Sequence, residues 1–216
     1  MQPNGMIFWD WNGTLMDDVA FTHGCLNWML EVHGYPQRYD LAAYREIFGF
    51  PIEEYYIRAG FDFARHPYPE LAARFMEHYN AGVADCPVTA HAAEVLTELS
   101  RRGWQQAVLS ASRRDYLIEQ VAARGLQGFF TELLGLADIY GVSKVQLGTD
   151  YLRRSRIDPA ACVMIGDTTH DAEVAAAIGA KCVLYTGGHQ SRARLEQASP
   201  WVIDDLALLP DLLETI

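Results

Sequence analysis

Short runs of consecutive apolar residues recur along this chain, and each run ends in small or polar residues. Because neither face of such a run is polar, the pattern is typical of strands that are buried inside a parallel sheet. The predicted strands cover residues 6–9, 107–109, 162–165, 182–185 and 201–203. The predicted helices between them cover residues 92–102, 115–124, 145–154 and 172–178. This alternation predicts an α/β fold with a doubly wound, mostly parallel, Rossmann-like sheet.

The segment 17–85 interrupts the alternation of strands and helices. It contains no comparable apolar run and carries most of the aromatic residues of the chain. It also shows helical patterns separated by turn residues. The helices predicted there cover residues 19–33, 41–48, 53–59 and 69–84. We therefore predict two domains, an α/β core formed by residues 1–16 and 86–216 and an inserted helical domain formed by residues 17–85.

The charge of the chain narrows the classes of partner. The formal net charge is -11 at pH 7 and the sequence pI is about 5.0, so the chain lacks the general basic surface that attracts nucleic acid or an anionic membrane. The four cysteines show no C-x-x-C spacing, and no stretch reaches the roughly 18 apolar residues of a membrane span. These features predict a cytoplasmic protein with no nucleic-acid or membrane partner.

Polar and small residues follow three of the predicted strands, at the edge where open parallel sheets hold their ligands. The segments in question are 10–14, 110–112 and 166–171. Lys144 opens the helix before the third of these strands, and the chain has only one other lysine, Lys181. The sequence therefore predicts a polar site at the carboxyl edge of the sheet.

Each of these features also has an ordinary structural explanation when it is taken alone. Segment 10–14 could be a helix cap followed by a turn, and the serines of segment 110–112 could cap the next helix. The aspartates of segment 166–171 could simply favour the start of a helix. A single lysine is most often a solvated surface residue. The order in which the features occur decides between these explanations and a functional one.

The chain carries, in this order, Asp10-x-Asn12-Gly13-Thr14, Ser110, Lys144, Gly166-Asp167 and Asp171. This order resembles the four motifs of the haloacid dehalogenase-like hydrolase superfamily, and most of all those of its phosphoglycolate phosphatase type. That family inserts a helical cap domain between the first two motifs, where this chain has residues 17–85. The resemblance therefore covers nearly the whole chain.

The resemblance implies an enzyme that binds Mg²⁺ and hydrolyses a small phosphorylated metabolite. Asp10 would attack the phosphoryl group and form an aspartyl-phosphate, which water then hydrolyses. The implied metal ligands are Asp10, the main-chain carbonyl of Asn12, Asp167 and Asp171. The implied catalytic residues are Asp10, Asn12, Ser110 and Lys144. The implied contacts with the phosphoryl group are Gly13, Thr14, Ser110, Ala111 and Lys144.

The chain departs from the family at position 12. Phosphatases of this family usually have a second aspartate there, which gives a proton to the leaving group and takes one from the attacking water. Asn12 cannot transfer protons at neutral pH, and the loss of such assistance costs about 10²- to 10⁴-fold in rate. We expect His23, Asp18 or a substrate with a good leaving group to compensate. The alternative is a protein that binds a phosphorylated ligand and turns it over poorly.

Other activities of the superfamily fit the sequence less well. Phosphonoacetaldehyde hydrolases also lack the second aspartate, but they need a cap lysine, and segment 17–85 contains none. Dehalogenation is disfavoured because it has no need for the metal-binding carboxylates Asp167 and Asp171.

Substrate specificity would come from the inserted domain. Arg45, beside the loop around Gly49 and Pro51, is a candidate for binding an anionic leaving group, although an ordinary surface arginine is the simpler explanation. The segment 185–189 follows another predicted strand and is expected to line the rim of the pocket. The sequence leaves open whether the protein is a monomer or a homodimer.

Overall fold

The computed structural model describes residues 5–137 and 143–216, and a six-stranded sheet forms its centre. The strands are β1 (Gly5–Trp9), β2 (Trp104–Arg113), β3 (Glu132–Leu136), β4 (Cys162–Gly166), β5 (Lys181–Tyr185) and β6 (Trp201–Ile203). They are hydrogen-bonded in the order β3-β2-β1-β4-β5-β6, and all of these pairings are parallel. The chain starts in a central strand, moves outward to β3, and then moves outward in the other direction to β6. The predicted doubly wound sheet is therefore confirmed.

All five predicted strands are present, but two features of the sheet differ from the prediction. The edge strand β3 was not predicted, because it begins with a glutamate, contains Gly135 and is only partly buried. β2 continues to Arg113 with a register shift after Leu109. The sequence predicted that Ser110 and Ser112 follow the end of this strand. In the structure both lie within its irregular last part.

The described residues form ten α-helices, of which α9 and α10 were not predicted. The helices are α1 (Val19–Val32), α2 (Leu41–Ile47), α3 (Ile52–Arg58), α4 (Tyr68–Gly82), α5 (Ala92–Arg101), α6 (Arg114–Ala123), α7 (Lys144–Ser155), α8 (Thr169–Ile178), α9 (Arg192–Ala198) and α10 (Leu209–Leu212). None of them combines the length and the apolar character needed to cross a lipid bilayer.

Helices cover both faces of the sheet. Successive side chains of a strand point to opposite faces, so Ile7 and Trp9 of β1 pack on one side while Met6 and Phe8 pack on the other. Helices α5, α6 and α10 cover the first face, and α7, α8 and α9 cover the second. This two-sided burial is the reason that the central strands are apolar at consecutive positions.

The inserted segment has a hydrophobic cluster of its own. The four helices predicted within residues 17–85 are present as α1 to α4, and they enclose buried side chains such as Leu26, Leu30, Tyr44 and Leu71. α1 and α4 also pack against each other, with the rings of Phe21 and Tyr79 in contact. The division of the chain into a core (residues 1–16 and 86–216) and an inserted domain (residues 17–85) stays a prediction.

A buried polar side chain joins the sheet to α5. Gln106 of β2 accepts a hydrogen bond from the indole N–H of Trp9 at 3.0 Å. Its amide nitrogen donates to the main-chain oxygen of Leu96 and to the hydroxyl of Ser100, both at 2.9 Å. Every polar atom of this amide is therefore used, and the indole N–H of Trp9 depends on it, whereas the oxygen of Leu96 also accepts from the hydroxyl of Ser100.

We expect Gln106→Met to lower the free energy of unfolding by about 1 to 3 kcal/mol, because the indole N–H of Trp9 would stay buried without a partner and the main-chain oxygen of Leu96 would lose one of its donors. For a chain of this size that equals a decrease in Tm of roughly 2 to 12 °C, measurable by calorimetry. The matched control is Gln105→Met, which makes the same change at the exposed neighbouring position. Equal effects of the two substitutions would contradict this explanation.

Candidate active site

The carboxyl ends of β1 and β4 bring two of the sequence motifs together. The main-chain N–H of Asp10 donates to the oxygen of Ile165 at 2.8 Å, so the chain is still held in the sheet where the first motif begins. β4 ends at Gly166, and Asp167 follows it directly. Because the two strands are parallel neighbours, both aspartates lie at the same edge of the sheet.

Lys144 lies between two of the carboxylates. Its Nζ is 2.7 Å from Oδ1 of Asp10 and 2.6 Å from Oδ1 of Asp171. Its side chain is only 4% exposed, although it belongs to the first turn of α7, where Ser143 caps the helix. The prediction that Lys144 opens a helix is therefore correct, and its side chain points into the site rather than into solvent.

The two aspartates after β4 are held by main-chain and hydroxyl donors. Oδ2 of Asp171 accepts hydrogen bonds from the N–H groups of Asp167 and Thr168 and from the hydroxyl of Thr168, which also caps α8. Asp167 accepts from the hydroxyl of Thr14 at 3.0 Å and from the N–H of His189 at 2.6 Å. The positions of both carboxylates are thus fixed by the surrounding chain.

Asp10, Asp167 and Asp171 each offer a carboxylate oxygen, and these oxygens lie within 4.8 Å of one another. Burial raises the pKa of Asp10 to about 6, with Lys144 lowering it and Asp171 raising it further. Burial also raises the pKa of Asp167 to about 7, against the charge of His189. In Asp171 the effect of burial is outweighed by Lys144 and Thr168, and the pKa is lowered.

The three carboxylates of the cluster outnumber the one lysine that lies among them. Burial lowers the pKa of Lys144, but the charges of Asp10 and Asp171 outweigh it and raise the pKa above its ordinary value. One ammonium therefore faces three buried carboxylates. An oxygen-lined cluster with this imbalance fits a divalent metal ion, which would restore the balance.

Gly13 gives the loop after β1 its close approach to the cluster. Its φ is +71°, a conformation that side chains disfavour, and its N–H donates to Oδ1 of Asp18 at 2.8 Å. A Cβ atom at this position would lie 2.5 Å from Oδ2 of Asp167 and from Cδ2 of His189. Position 13 therefore requires glycine for both conformation and space.

The side-chain amide of Asn12 uses all of its polar atoms within the protein. Its amide nitrogen donates to Oδ2 of Asp18 at 2.9 Å and to the hydroxyl of Tyr79 at 2.7 Å. Its side-chain oxygen accepts from the hydroxyl of Ser112 at 2.7 Å. The side chain thus joins the end of β2 to helix α4 of the inserted segment.

Neither residue expected to supply the missing acid is placed to do so. Burial alone would raise the pKa of Asp18, but the hydrogen bond and charge of His189, with hydrogen bonds from Tyr79 and Asn12, lower it to about 2. Asp18 is therefore ionised at neutral pH and holds no proton to donate. Nε2 of His23 lies 2.7 Å from the main-chain oxygen of Tyr39, so this ring is bound within the inserted segment.

The remaining predicted substrate contacts have these positions. Ser110 is buried at the end of β2, and its Oγ accepts from the N–H of Ser112 at 3.1 Å, with Ala111 between them. Thr14 is fully buried and contacts Asp167. Contacts of Ser110, Ala111, Gly13 and Thr14 with a substrate stay predictions.

Arg45 is bound to the core in this conformation. Its guanidinium donates to the main-chain oxygens of Gly188 and Gly187, both at 2.9 Å. The contact seen is therefore one between helix α2 and the loop after β5, and the role of Arg45 in binding an anionic leaving group stays a prediction.

The sequence predicted no role for three residues of the site, although it placed segment 185–189, which contains His189, at the rim of the pocket. His189 is buried, with Nε2 3.4 Å from Oδ1 of Asp18 and Nδ1 2.8 Å from the hydroxyl of Tyr44. Tyr79 donates to Oδ2 of Asp18 at 2.6 Å. The position of His189 after β5 was a usable signal, since strand ends hold ligands in this kind of sheet. Tyr44 and Tyr79 gave no such signal, because aromatic residues in helices are usually core residues.

We expect Gly13→Ala to lower the free energy of unfolding by about 2 to 4 kcal/mol, because the added methyl group meets Asp167 and His189 in addition to the unfavourable φ. The control is Gly125→Ala, where φ is +69° and nothing lies within 4 Å of an added Cβ atom. That change should cost only about 1 kcal/mol. Unfolding in urea measures both, and equal losses would show that the close approach at Gly13 is unimportant.

The model of the haloacid dehalogenase-like hydrolase family matches residues 7–185 of this chain. A phosphoglycolate phosphatase of Synechococcus elongatus is 25% identical over 215 residues, which cover 97% of this chain and 96% of that protein. A phosphoglycolate phosphatase of Haemophilus influenzae is 27% identical over 122 residues, covering 56% of this chain and 54% of that protein.

Solved structures share the fold at lower sequence identity. A haloacid dehalogenase-like family protein from Streptococcus pneumoniae has a TM-score of 0.83 at 18% identity, over 97% of this chain and 98% of that one. A mutant of CbbY from Rhodobacter sphaeroides, in complex with xylulose-1,5-bisphosphate, has a TM-score of 0.68 at 19% identity, over 94% of each chain. The family match spans most of the sheet and all of the motifs described above, and the chain belongs to the haloacid dehalogenase-like hydrolases.

Proposed function

We propose that this protein is a Mg²⁺-dependent hydrolase of small phosphate monoesters and that Asp10 is its nucleophile. The observation that carries the proposal is the burial of Asp10, Asp167 and Asp171 around the single ammonium of Lys144. Hydrolysis of a phosphate monoester requires the neutralisation and positioning of a highly charged group more than any other assistance. A site with these residues supplies both.

The residues present fit Mg²⁺. This ion prefers one or two carboxylates in an octahedral set of oxygen ligands, which Asp10, Asp167 and the main-chain carbonyl of Asn12 would provide. Asp171 would serve as a further ligand or support the other ligands, and its Oδ1 orients Lys144. When bound, the ion would neutralise charge on Asp10 and on the phosphoryl oxygens.

Asp10 and Lys144 would carry out the first step together. The carboxylate of Asp10 attacks phosphorus, its new bond to phosphorus forms as the ester bond breaks, and the leaving group departs with the bonding electrons as an alkoxide, which takes a proton from water. Lys144, held 2.7 Å from Asp10, would bind a phosphoryl oxygen as negative charge moves. Water then attacks the aspartyl-phosphate, which releases inorganic phosphate and regenerates Asp10.

The substrate class follows from the relatives. Similar proteins in Synechococcus elongatus and Haemophilus influenzae are phosphoglycolate phosphatases, and CbbY was solved with xylulose-1,5-bisphosphate. A small phosphorylated metabolite is thus the ligand that we propose for this chain. The inserted helices, with Arg45 at their contact with the core, would select the part of the substrate beyond the phosphate.

A second candidate function is the binding of a phosphorylated ligand with little turnover. Asn12 favours it, because the amide cannot transfer a proton and its polar atoms are all used by Asp18, Tyr79 and Ser112. Steady-state kinetics separates the two functions, since both predict binding but only the first predicts Mg²⁺-dependent release of phosphate.

We expect the protein to hydrolyse p-nitrophenyl phosphate and small sugar or glycolate phosphates in the presence of Mg²⁺, and Asp10→Asn to lower kcat by at least about 10³-fold. The amide of the variant cannot act as a nucleophile at phosphorus. The control is Asp85→Asn, which makes the same change at an exposed position away from the cluster. Turnover that survives in Asp10→Asn would show that another residue is the nucleophile.

We also expect the effect of Mg²⁺ on stability to depend on pH. The pKa values of Asp10 and Asp167 are raised from 3.8 to about 6 and about 7, so the folded protein without metal binds more protons than the unfolded chain between pH 4 and pH 7. Its stability should fall through this range as the pH rises. Mg²⁺ stabilises the ionised carboxylates, so it should raise Tm clearly at pH 8 and hardly at pH 5.

Differential scanning fluorimetry with and without Mg²⁺ measures this difference. Asp10→Asn should have a smaller Mg²⁺ effect at pH 8, because one ligand is lost. A Mg²⁺ shift of equal size at both pH values would argue that the ion binds elsewhere.

A further inference from the structure

The carboxylate of Asp18 is a point where several parts of the chain meet. It is 1% exposed, and five donors surround it. The N–H of Gly13 lies at 2.8 Å, the amide of Asn12 at 2.9 Å, the hydroxyl of Tyr79 at 2.6 Å, the hydroxyl of Thr22 at 3.3 Å and Nε2 of His189 at 3.4 Å. A buried carboxylate with this many donors is held in its ionised form.

The donors belong to three separate segments. Gly13 and Asn12 are in the loop after β1, which leads from the nucleophile. Thr22 and Tyr79 are in helices α1 and α4 of the inserted segment. His189 is in the loop after β5 and is hydrogen-bonded to the inserted helix α2 as well. One carboxylate therefore joins the loop that leads from the nucleophile, the inserted helices α1 and α4, and the loop after β5.

This carboxylate decides which group position 12 can hold. Both oxygens of Asp18 accept hydrogen bonds, so the atom of residue 12 that faces Asp18 at 2.9 Å must be a donor. The amide nitrogen of Asn12 gives one hydrogen to Asp18 and one to Tyr79, whereas the carboxyl group of an aspartate has at most one hydrogen to give. Asn12 therefore satisfies both contacts, and an aspartate would not.

We propose that Asp18 is a positioning residue for the catalytic loop and that its carboxylate requires the amide of Asn12. In this chain the carboxylate that ties the loop after β1 to the inserted helices stands at position 18, and position 12 carries an amide. The kinetic part of this inference rests on the proposed phosphatase function. The pairing of the two residues does not, since it follows from hydrogen bonds and burial.

The pairing has a consequence for restoring the usual aspartate. Asn12→Asp by itself should not raise activity, because the new carboxyl group has at most one hydrogen to give where the amide of Asn12 gives two. Exchange of the two residues, Asn12→Asp with Asp18→Asn, places an amide opposite the new carboxylate and restores one donor and one acceptor across the contact.

The test compares the native protein, the two single variants and the exchanged variant. Each single variant should lower Tm by about 5 °C, since Asn12→Asp removes at least one of the two hydrogens that reach Asp18 and Tyr79, and Asp18→Asn turns an amide N–H₂ group toward donors that now face a carboxylate oxygen. The exchanged variant should recover at least half of either loss. Additive losses in the exchanged variant would overturn the pairing, as would an Asn12→Asp variant with native Tm and higher activity.

Kinetics tests the positioning role separately. With p-nitrophenyl phosphate and saturating Mg²⁺, each single variant should lose at least about tenfold in kcat, and the exchanged variant should exceed both. Recovery of Tm without recovery of kcat would show that the pair only stabilises the fold. If no variant and no native sample released phosphate, the proposed function would fail, while the Tm comparison would still decide the pairing.

Two further variants serve as controls. One tests whether the loss of any nearby carboxylate rescues Asn12→Asp, and the other weakens the contacts of Asp18 by a milder change that should still fold. Asn12→Asp with Asp17→Asn removes an exposed carboxylate next to Asp18 and should recover nothing. Tyr79→Phe removes one donor to Asp18 and should lower kcat by about 3- to 10-fold with little change in KM. An unchanged kcat in Tyr79→Phe would contradict a connection between the inserted helices and the catalytic loop.

Discussion

The burial of three carboxylates around one ammonium is the constraint on which the rest of this structure depends. Asp10, Asp167 and Asp171 would repel one another if Lys144 did not lie among them, 2.6 to 2.7 Å from two of the carboxylates. The rest of the site supplies hydrogen bonds that hold these side chains in place. The cost of assembling such a cluster is consistent with a cation completing it, and a site of this kind is suited to phosphoryl transfer.

The inserted helices contact the core next to this cluster. The guanidinium of Arg194, in helix α9, donates to the main-chain oxygens of Arg45, Glu46 and Phe48, which belong to helix α2 and its end. The ring of Phe48 stacks on the ring of His189, and the main-chain N–H of His189 donates to Asp167. The same loop after β5 thus contacts both Asp167 of the carboxylate cluster and the inserted helices. A displacement of these helices would therefore also displace groups that contact the cluster.

The amide at position 12 has a different meaning in the structure than in the sequence. In the motif it is a missing acid, which predicts a slow enzyme. In the fold, Asn12 is a donor to Asp18 and Tyr79, so it joins the catalytic loop to the inserted helix α4. The loss of a proton donor and the gain of a link between the two parts of the molecule are properties of the same side chain.

The sequence by itself determined the strands of the sheet except β3, the helices of the inserted segment and the cluster of Asp10, Lys144, Asp167 and Asp171. These could be predicted because central parallel strands are apolar at consecutive positions and because their carboxyl ends share one edge. Tertiary structure alone decided the contacts that surround this cluster. Tyr79 and His189 meet Asp18 only through the packing of segments far apart in the chain, and no local pattern of apolar and polar residues records which distant donor a buried carboxylate will face.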